Sequence, residues 1–424
     1  MPSMISLTRF EGPHGVDVER TVEDITIAMD SVGGSDNANG LHYNTQAQFT
    51  ALGAFKTIPA VIEALPNRIA HDITLEFPDG IFALSADAFG NFDRFSFEGN
   101  PAIYFQSANG LVRETATTTY AVSAASSKRE VVLQADPGFS ANDHRGKYLR
   151  VISGTGAGQY KPIRSHSGVN WPTAGRWSPI LNATSVVEIL VPAATLQSPL
   201  FDTVIETRPV RSFERNIIFE AIDVTSTEAF AKLTLRGAFV RLDDGARLLD
   251  MGMTIYGGGV NLGDCVVYVN LSSTGIAVLG GYVRSSSGAK AWLISGARIA
   301  GISLLSLGPQ GGSTAFIWEG AIDDTDYLNA GNPGHAIRLL GGNVHMSWAS
   351  DAVQGADNDG FGVYLDNGAS LTGVDSAKVV AESDTLTGTF GDLGIEGVAK
   401  TWSDLDGAVN KQLTSGVGSF VAEG

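Results

Sequence analysis

Apolar and polar residues alternate along this chain in short runs, and in its second half each run opens on glycine. From Arg236 to Thr372 the recurring phrase is a glycine, a small residue, then alternation. It reads Gly237-Ala238-Phe239-Val240, Tyr256-Gly257-Gly258, Gly280-Gly281-Tyr282-Val283, Gly296-Ala297-Arg298-Ile299, Gly320-Ala321-Ile322, Gly341-Gly342-Asn343-Val344 and Gly368-Ala369-Ser370-Leu371. The leading glycines recur about every 22 residues, a period that marks stacked repeats. Alternation with period two is that of a half-buried strand. A unit this short cannot bury its own apolar face and must stack on its neighbours. The pattern predicts an all-β fold: a right-handed parallel β-helix with about three short strands per coil. Glycine belongs at the corners, where a positive φ excludes most side chains. About nine such coils fit between Arg208 and Thr401.

The first hundred residues break this rhythm. Glu23 to Met29 reads as a strand, followed by a loop from Gly33 to Gly40. Thr45 with Gln48 three residues on is a capping box. Phe49, Leu52, Phe55, Ile58, Val61, Ile62 and Leu65 follow at helical spacing, with a kink expected at Pro59 and an end at Pro66-Asn67. Asp72 to Phe77 alternates as a strand, Pro78-Asp79-Gly80 turns it, and Arg94–Phe97 and Ala102–Phe105 are further strand phrases. A helix here would cover the open end of the first coil, which otherwise exposes a sheet edge. The stretch from Phe49 to Phe82 resembles the entry to the pectate-lyase-like β-helices of bacteriophage tailspikes and tail proteins. In that family a helix plugs the coil and leads into a strand, a Pro/Asp-Gly turn and an aromatic residue. Where tailspikes often open the helix on acidic residues, this chain has Thr45-Gln46-Ala47-Gln48.

Between Tyr120 and Pro192, turn signals every eight to twelve residues predict a small antiparallel β-domain inserted in the solenoid. Gly154-Thr155-Gly156-Ala157-Gly158-Gln159, a basic strand, Gly175-Arg176-Trp177, Ala183-Thr184-Ser185 and Glu188-Ile189 follow in that order. This succession resembles a small β-module inserted in phage tail structural proteins. The closely spaced glycines do not make a phosphate loop, because Pro162 and a strand-like run follow where a helix is required. They read as a hairpin turn. An insert that enters and leaves at neighbouring points predicts that excising it leaves the coils intact. The organisation expected is an attachment segment over 1–40, capping helix and first coils over 41–118, the β-module over 119–207, the main β-helix over 208–400 and a tail over 401–424.

Composition narrows the partners. Hydrophobic residues make up 43% of the chain and charged ones 17%, with 51 glycines against 15 prolines, which suits an ordered β-rich protein rather than a linker. A net charge of −17 with no basic stripe argues against nucleic acid. No apolar run approaches the length of a membrane span, and the N-terminus lacks a signal-peptide pattern. Cys265, the single cysteine, reads as a buried thiol of a protein folded in a reducing cytoplasm. The sequence calls for no cofactor, and its histidines are too dispersed for a zinc motif.

Two local concentrations of carboxylates stand out: Glu319 with Asp323, Asp324 and Asp326, and Asp357 and Asp359 with Asp366. Hydrolysis of a glycan needs one carboxyl held protonated and one ionised. Trp318, Tyr327, Trp348 and Tyr364 lie near them in sequence and could stack on sugar rings. The competing reading is that these acidic runs are polar turns whose side chains cap their own backbone. Asp357-Asn358-Asp359-Gly360 also half-matches a calcium loop without its remaining ligands. The resemblance implies a structural virion protein of a phage tail, baseplate or spike, a parallel homotrimer that contacts other tail proteins and a host-surface glycan. Its alternatives are a tailspike depolymerase acting on capsule or lipopolysaccharide, and a receptor-binding module without chemistry.

Overall fold

The computed structural model describes residues 20–36, 42–115, 117–207, 216–269, 274–285, 290–295, 297 and 300–305, and beyond residue 305 the strands alone. Three parallel sheets build the β-helix, and from Ile103 to Asp366 each coil gives one strand to each sheet. The first sheet joins Ile25–Ala28, Ile73–Phe77, Ile103–Ser107, Ile217–Glu220, Phe239–Asp243, Gly259–Leu262, Tyr282–Ser285, Thr314–Ile317, Asn343–Trp348 and Ser370–Gly373. The second joins Gly80–Ala83, Ala194–Ser198, Ile222–Ser226, Ala246–Leu249, Cys265–Tyr268, Trp292–Ser295, Gly320–Asp323 and Val353–Gln354. The third runs from Asp202–Glu206 through Ala231–Arg236, Met251–Tyr256, Thr274–Leu279 and Ala300–Leu305 to Lys411–Ser415.

Register keeps like residues stacked. Ile73, Ile103, Ile217, Val240, Val260 and Val283 lie one above another, all buried. Two positions on, Phe105 and Phe219 stack at 5.1 Å, and Phe77 stacks on Phe105 at 6.2 Å. A one-residue slip would turn every such side chain outward, so the period-two pattern pins the register.

The corner from third to first sheet explains the glycine phrase. Gly237, Gly257 and Gly280 take φ of 63°, 67° and 71° there. The residue after each must be small because the coils touch: a Cβ on Gly258 would stand 2.1 Å from the Ala238 carbonyl oxygen. Two of the seven phrases belong elsewhere. Gly320 opens a second-sheet strand, and the Gly296 phrase falls between second-sheet Trp292–Ser295 and third-sheet Ala300–Leu305. First-sheet strands begin at Phe239, Gly259, Tyr282, Thr314, Asn343 and Ser370, so the coils lengthen from about 20 to about 30 residues. Seven first-sheet strands, not nine, follow Arg208 among the described residues. Stacking constrains strand length but leaves the corners free to grow.

The expected single helix is two: α1 (Gln46–Leu52) and α2 (Ile58–Ala64). Thr45 and Gln48 form the capping box on α1, and Gly53 ends it at φ 78°. Pro59 does not kink anything; it sits in the first turn of α2, where its missing N–H is harmless. Phe55, between the helices, is buried in extended backbone and exchanges hydrogen bonds with Ala28 and Asp30. Gln46 closes the edge of the first sheet, its carboxamide accepting from Thr26 N–H at 2.5 Å and donating to Thr26 carbonyl at 3.0 Å. An uncharged amide with both a donor and an acceptor satisfies a strand edge that a carboxylate could only half-satisfy.

The antiparallel β-domain leaves the coil after Ile103–Ser107 and returns at Ala194–Ser198, a corner that the next three coils cross in one or two residues. Val186–Pro192 is its central strand, paired with Leu111–Arg113, Tyr120–Ala121 and Tyr148–Ser153, and the last of these pairs with Tyr160–Pro162. The glycine-rich run 154–158 is the hairpin turn between the last two strands. Val131, Leu149, Trp171, Trp177, Leu181 and Val187 are among the residues of a separate core. Buried Glu188 is held by Arg113 and Arg150. The domain does not dangle: Tyr148, Ala174 and Leu190 pack on Val266 and Leu293 of the second sheet's outer face. Under this seat, Arg247 donates to both carboxylate oxygens of Asp223 at 2.8 and 2.7 Å and to the Gly146 carbonyl at 3.3 Å.

Candidate functional site at the module junction

Where the module meets the β-helix, the corner between first and second sheets carries acidic residues on successive coils. Glu220 and Asp243 close neighbouring first-sheet strands in register, so their side chains leave the same flank. Asp244 turns the corner at φ 47°, a conformation that aspartate tolerates better than most residues. One coil on stands Gly263, where a Cβ would come within 2.1 Å of Asp243 Oδ1; the carboxylate fills the space a side chain would need. Asp264 follows.

Glu220, Asp243 and Asp244 each bring a carboxylate oxygen within 4.8 Å of the other two. That is a donor set for a hard cation, but Lys290 Nζ lies 2.5 Å from Asp243 Oδ1 and 3.4 Å from Asp244 Oδ1 and supplies the charge. Arg241 pairs with the second oxygen of Asp243. Burial holds the Glu220 carboxyl above the usual range, and Asp244 and Asp243 push it the same way. Burial likewise raises Asp264 to about 6, against the Ala291 N–H that it accepts at 2.7 Å and the nearby Lys161 and Lys290. Tyr160, from the module, hydrogen-bonds to Asp264, and its phenol is pushed up by burial and by the Asp264, Asp244 and Asp243 carboxylates. The corner can hold a proton near neutral pH beside an ion-paired carboxylate, and it also pins the module.

Because the folded protein favours protonated Asp264, it binds more protons than the unfolded chain between pH 4 and 6. The stability this group contributes is therefore fullest below pH 4 and is lost as pH rises through 6. Asp264→Asn should raise stability at pH 7.5 by on the order of 1–3 kcal/mol relative to wild type, with the gap closing towards pH 4. Thermal melts across that range check it; a gap independent of pH would contradict the assignment.

Asp323, Trp348 and Tyr364 lie on strands of the second, first and third sheets, so they do not share one strand ladder. Trp318, Glu319, Asp324, Asp326, Tyr327, Asp357 and Asp359 lie outside the described residues. Reading the sequence missed Glu220, Asp243, Asp244, Asp264 and Lys290. The available signal was positional: Asp243 and Gly263 each follow the leucine that ends a core ladder, Leu242 and Leu262, which are register partners.

No helix among the described residues is long and apolar enough to cross a membrane. No protein-family model matches the chain, and no curated protein matches it by sequence. Among solved structures, the chain is similar to phage tailspikes. Tailspike gp61 of Pseudomonas phage phi297 is 11% identical over 88% of this chain and 74% of its own, with a TM-score of 0.22. Tailspike gp54 of Acinetobacter baumannii bacteriophage AP22, solved with A. baumannii capsular saccharide, is 11% identical over 93% of this chain and 62% of its own, TM-score 0.26. Tailspike gp49 of Pseudomonas phage LKA1 is 12% identical over 93% of this chain and 79% of its own, TM-score 0.20.

Proposed function

We propose that the protein is a structural component of a phage tail, baseplate or spike, working as a rigid β-helical scaffold and host-attachment element in a parallel homotrimer. The observation that carries this reading is the continuous register of three parallel sheets, closed at the N-terminal end by α1 and α2. Stacked coils share load between neighbours and scale in length with coil number, as a protruding virion element needs. The module, seated on an outer face of the β-helix, is the surface offered to tail proteins or to a host glycan. Imaging native particles with this chain labelled tests the reading: density on the tail or spike supports it, and label absent from particles overturns it.

A second reading, glycan depolymerase, is favoured by the corner carboxylates. Glu220 or Asp264 would donate a proton and Asp243 would act as the second carboxylate. Purified protein incubated with host capsule or lipopolysaccharide should release no reducing ends and no unsaturated uronate under the scaffold reading. Release abolished by Asp243→Asn, or by Asp324→Asn or Asp357→Asn in the acidic runs, would establish the enzyme instead, since losing an acid or nucleophile costs orders of magnitude in rate.

A further inference from the structure

Inside the module two imidazoles lie 5.3 Å apart, His144 being 8% exposed and His166 2%. His166 stacks on the Trp171 indole at 4.4 Å, and Phe139 stands edge-on to His144 at 4.2 Å. His166 Nε2 accepts the backbone N–H of His144 at 3.0 Å. A neutral imidazole can do so only with its own proton on Nδ1. That Nδ1, and Nε2 of His144, are buried with no hydrogen-bond partner among the described residues. His144 Nδ1 faces Glu114 Oε2 and Lys147 Nζ, each at 3.0 Å. The same loop is knitted to His166 twice more, through Asn142 N–H to the His166 carbonyl at 3.1 Å and His166 N–H to Asn142 Oδ1 at 3.0 Å. Two residues past His144, Gly146 touches the β-helix: its carbonyl accepts from Arg247, and a Cβ there would lie 3.3 Å from Val266.

We propose that His144 and His166 form a proton-operated latch, which holds the 138–147 loop in its seat on the β-helix at neutral pH and loosens it on acidification. Protonating His166 places a hydrogen on Nε2, directly facing the His144 N–H, so an acceptor becomes a donor. The proton comes from solvent and no covalent bond changes. The backbone N–H is then left buried without an acceptor, and the new charge is buried away from water. Around His166, His144, Lys147 and Arg145 oppose that charge and Asp143 favours it. Around His144, Lys147 opposes, and Glu114 and Asp143 favour. Burial outweighs these and lowers both imidazoles, so the folded state favours their neutral forms. Their contribution to stability is full above about pH 6.5 and is lost as pH falls below it. Asp264 titrates in an overlapping window with the opposite sign, since acid favours its folded form. The two effects are therefore separable by direction.

Hydrogen exchange on the full chain, corrected for the intrinsic rate at each pH, reads the latch. Protection across 138–147 should fall about tenfold or more between pH 7.5 and 5.5 while strands within 217–268 keep theirs. His166→Gln, whose side-chain carbonyl can reach the place of Nε2 and does not titrate, should abolish that pH dependence. Loop protection equal at both pH values in wild type, or an unchanged loss in H166Q, would overturn the latch. Should H166Q fail to fold, carbon-13 titration of the wild-type imidazoles decides: His166 titrating at or above about 6.5 refutes it, and titration well below supports it.

Discussion

Replacing Phe55 and Ile62 together with aspartate yields aggregated protein, not a shortened but intact β-helix. Both side chains are 2% exposed and belong to the cluster that runs on into the coils. Each new carboxylate must be buried or drag its segment out of the core, at a cost of several kcal/mol. Two such costs rival the 5–15 kcal/mol that a folded domain typically holds in reserve. Unplugging also frees the edge of Ile25–Ala28, which Gln46 and the Phe55 backbone otherwise satisfy. An unsatisfied edge beside an apolar interior templates association. Size-exclusion chromatography and light scattering measure the outcome. A soluble double mutant with the wild-type melt would mean that α1, α2 and the linker between them do not close the coil.

Asp223→Ala destabilises the junction by about 3–5 kcal/mol, because it leaves the Arg247 guanidinium buried beneath the module without its carboxylate. Limited proteolysis should then cut near 107–113 and 192–194, where the module's two connections leave the coil. Replacing both partners at once, Asp223→Leu with Arg247→Met, should recover much of the loss, since an apolar pair needs no compensation. A single Asp223→Ala variant within 1 kcal/mol of wild type in chemical denaturation would show that the seat is wetter than its burial implies. Excision now carries a different expectation from the one the sequence suggested. Removing 111–192 uncovers Val266, Leu293 and the ion pair at once, so the truncated protein should aggregate. A module expressed alone must likewise begin at Leu111, not Tyr120, to keep the strand against Leu190–Pro192 and the Arg113 partner of Glu188.

Much of the architecture was legible because its determinants are local. Alternation of period two specifies strands, and Gly237, Gly257 and Gly280 mark one corner because a left-handed φ disfavours other residues there, while Gly258 beside it stays small because a Cβ would stand 2.1 Å from the Ala238 oxygen. The same locality misled the count of coils. A glycine phrase marks a corner without saying which of three, so Gly296 and Gly320 entered the same column as Gly280 and shortened the apparent period. Pro59 was misread for a related reason: proline breaks a helix interior but suits a first turn, and Gly53 had already ended the preceding helix.

The stack is encoded locally: strand period, corner residues, a helical cap and an antiparallel interruption each lie within a few consecutive positions. Tertiary structure alone decided the chemistry of the junction. Glu220, Asp243 and Asp264 are separated by about one coil each, and Tyr160 and Lys161 come from a module entered more than a hundred residues before Lys290. Their proximity depends on which corner each coil turns and on how the module seats against Val266 and Leu293. Coulomb interaction and desolvation follow distance through space and not along the chain, so no spacing in the sequence could announce them.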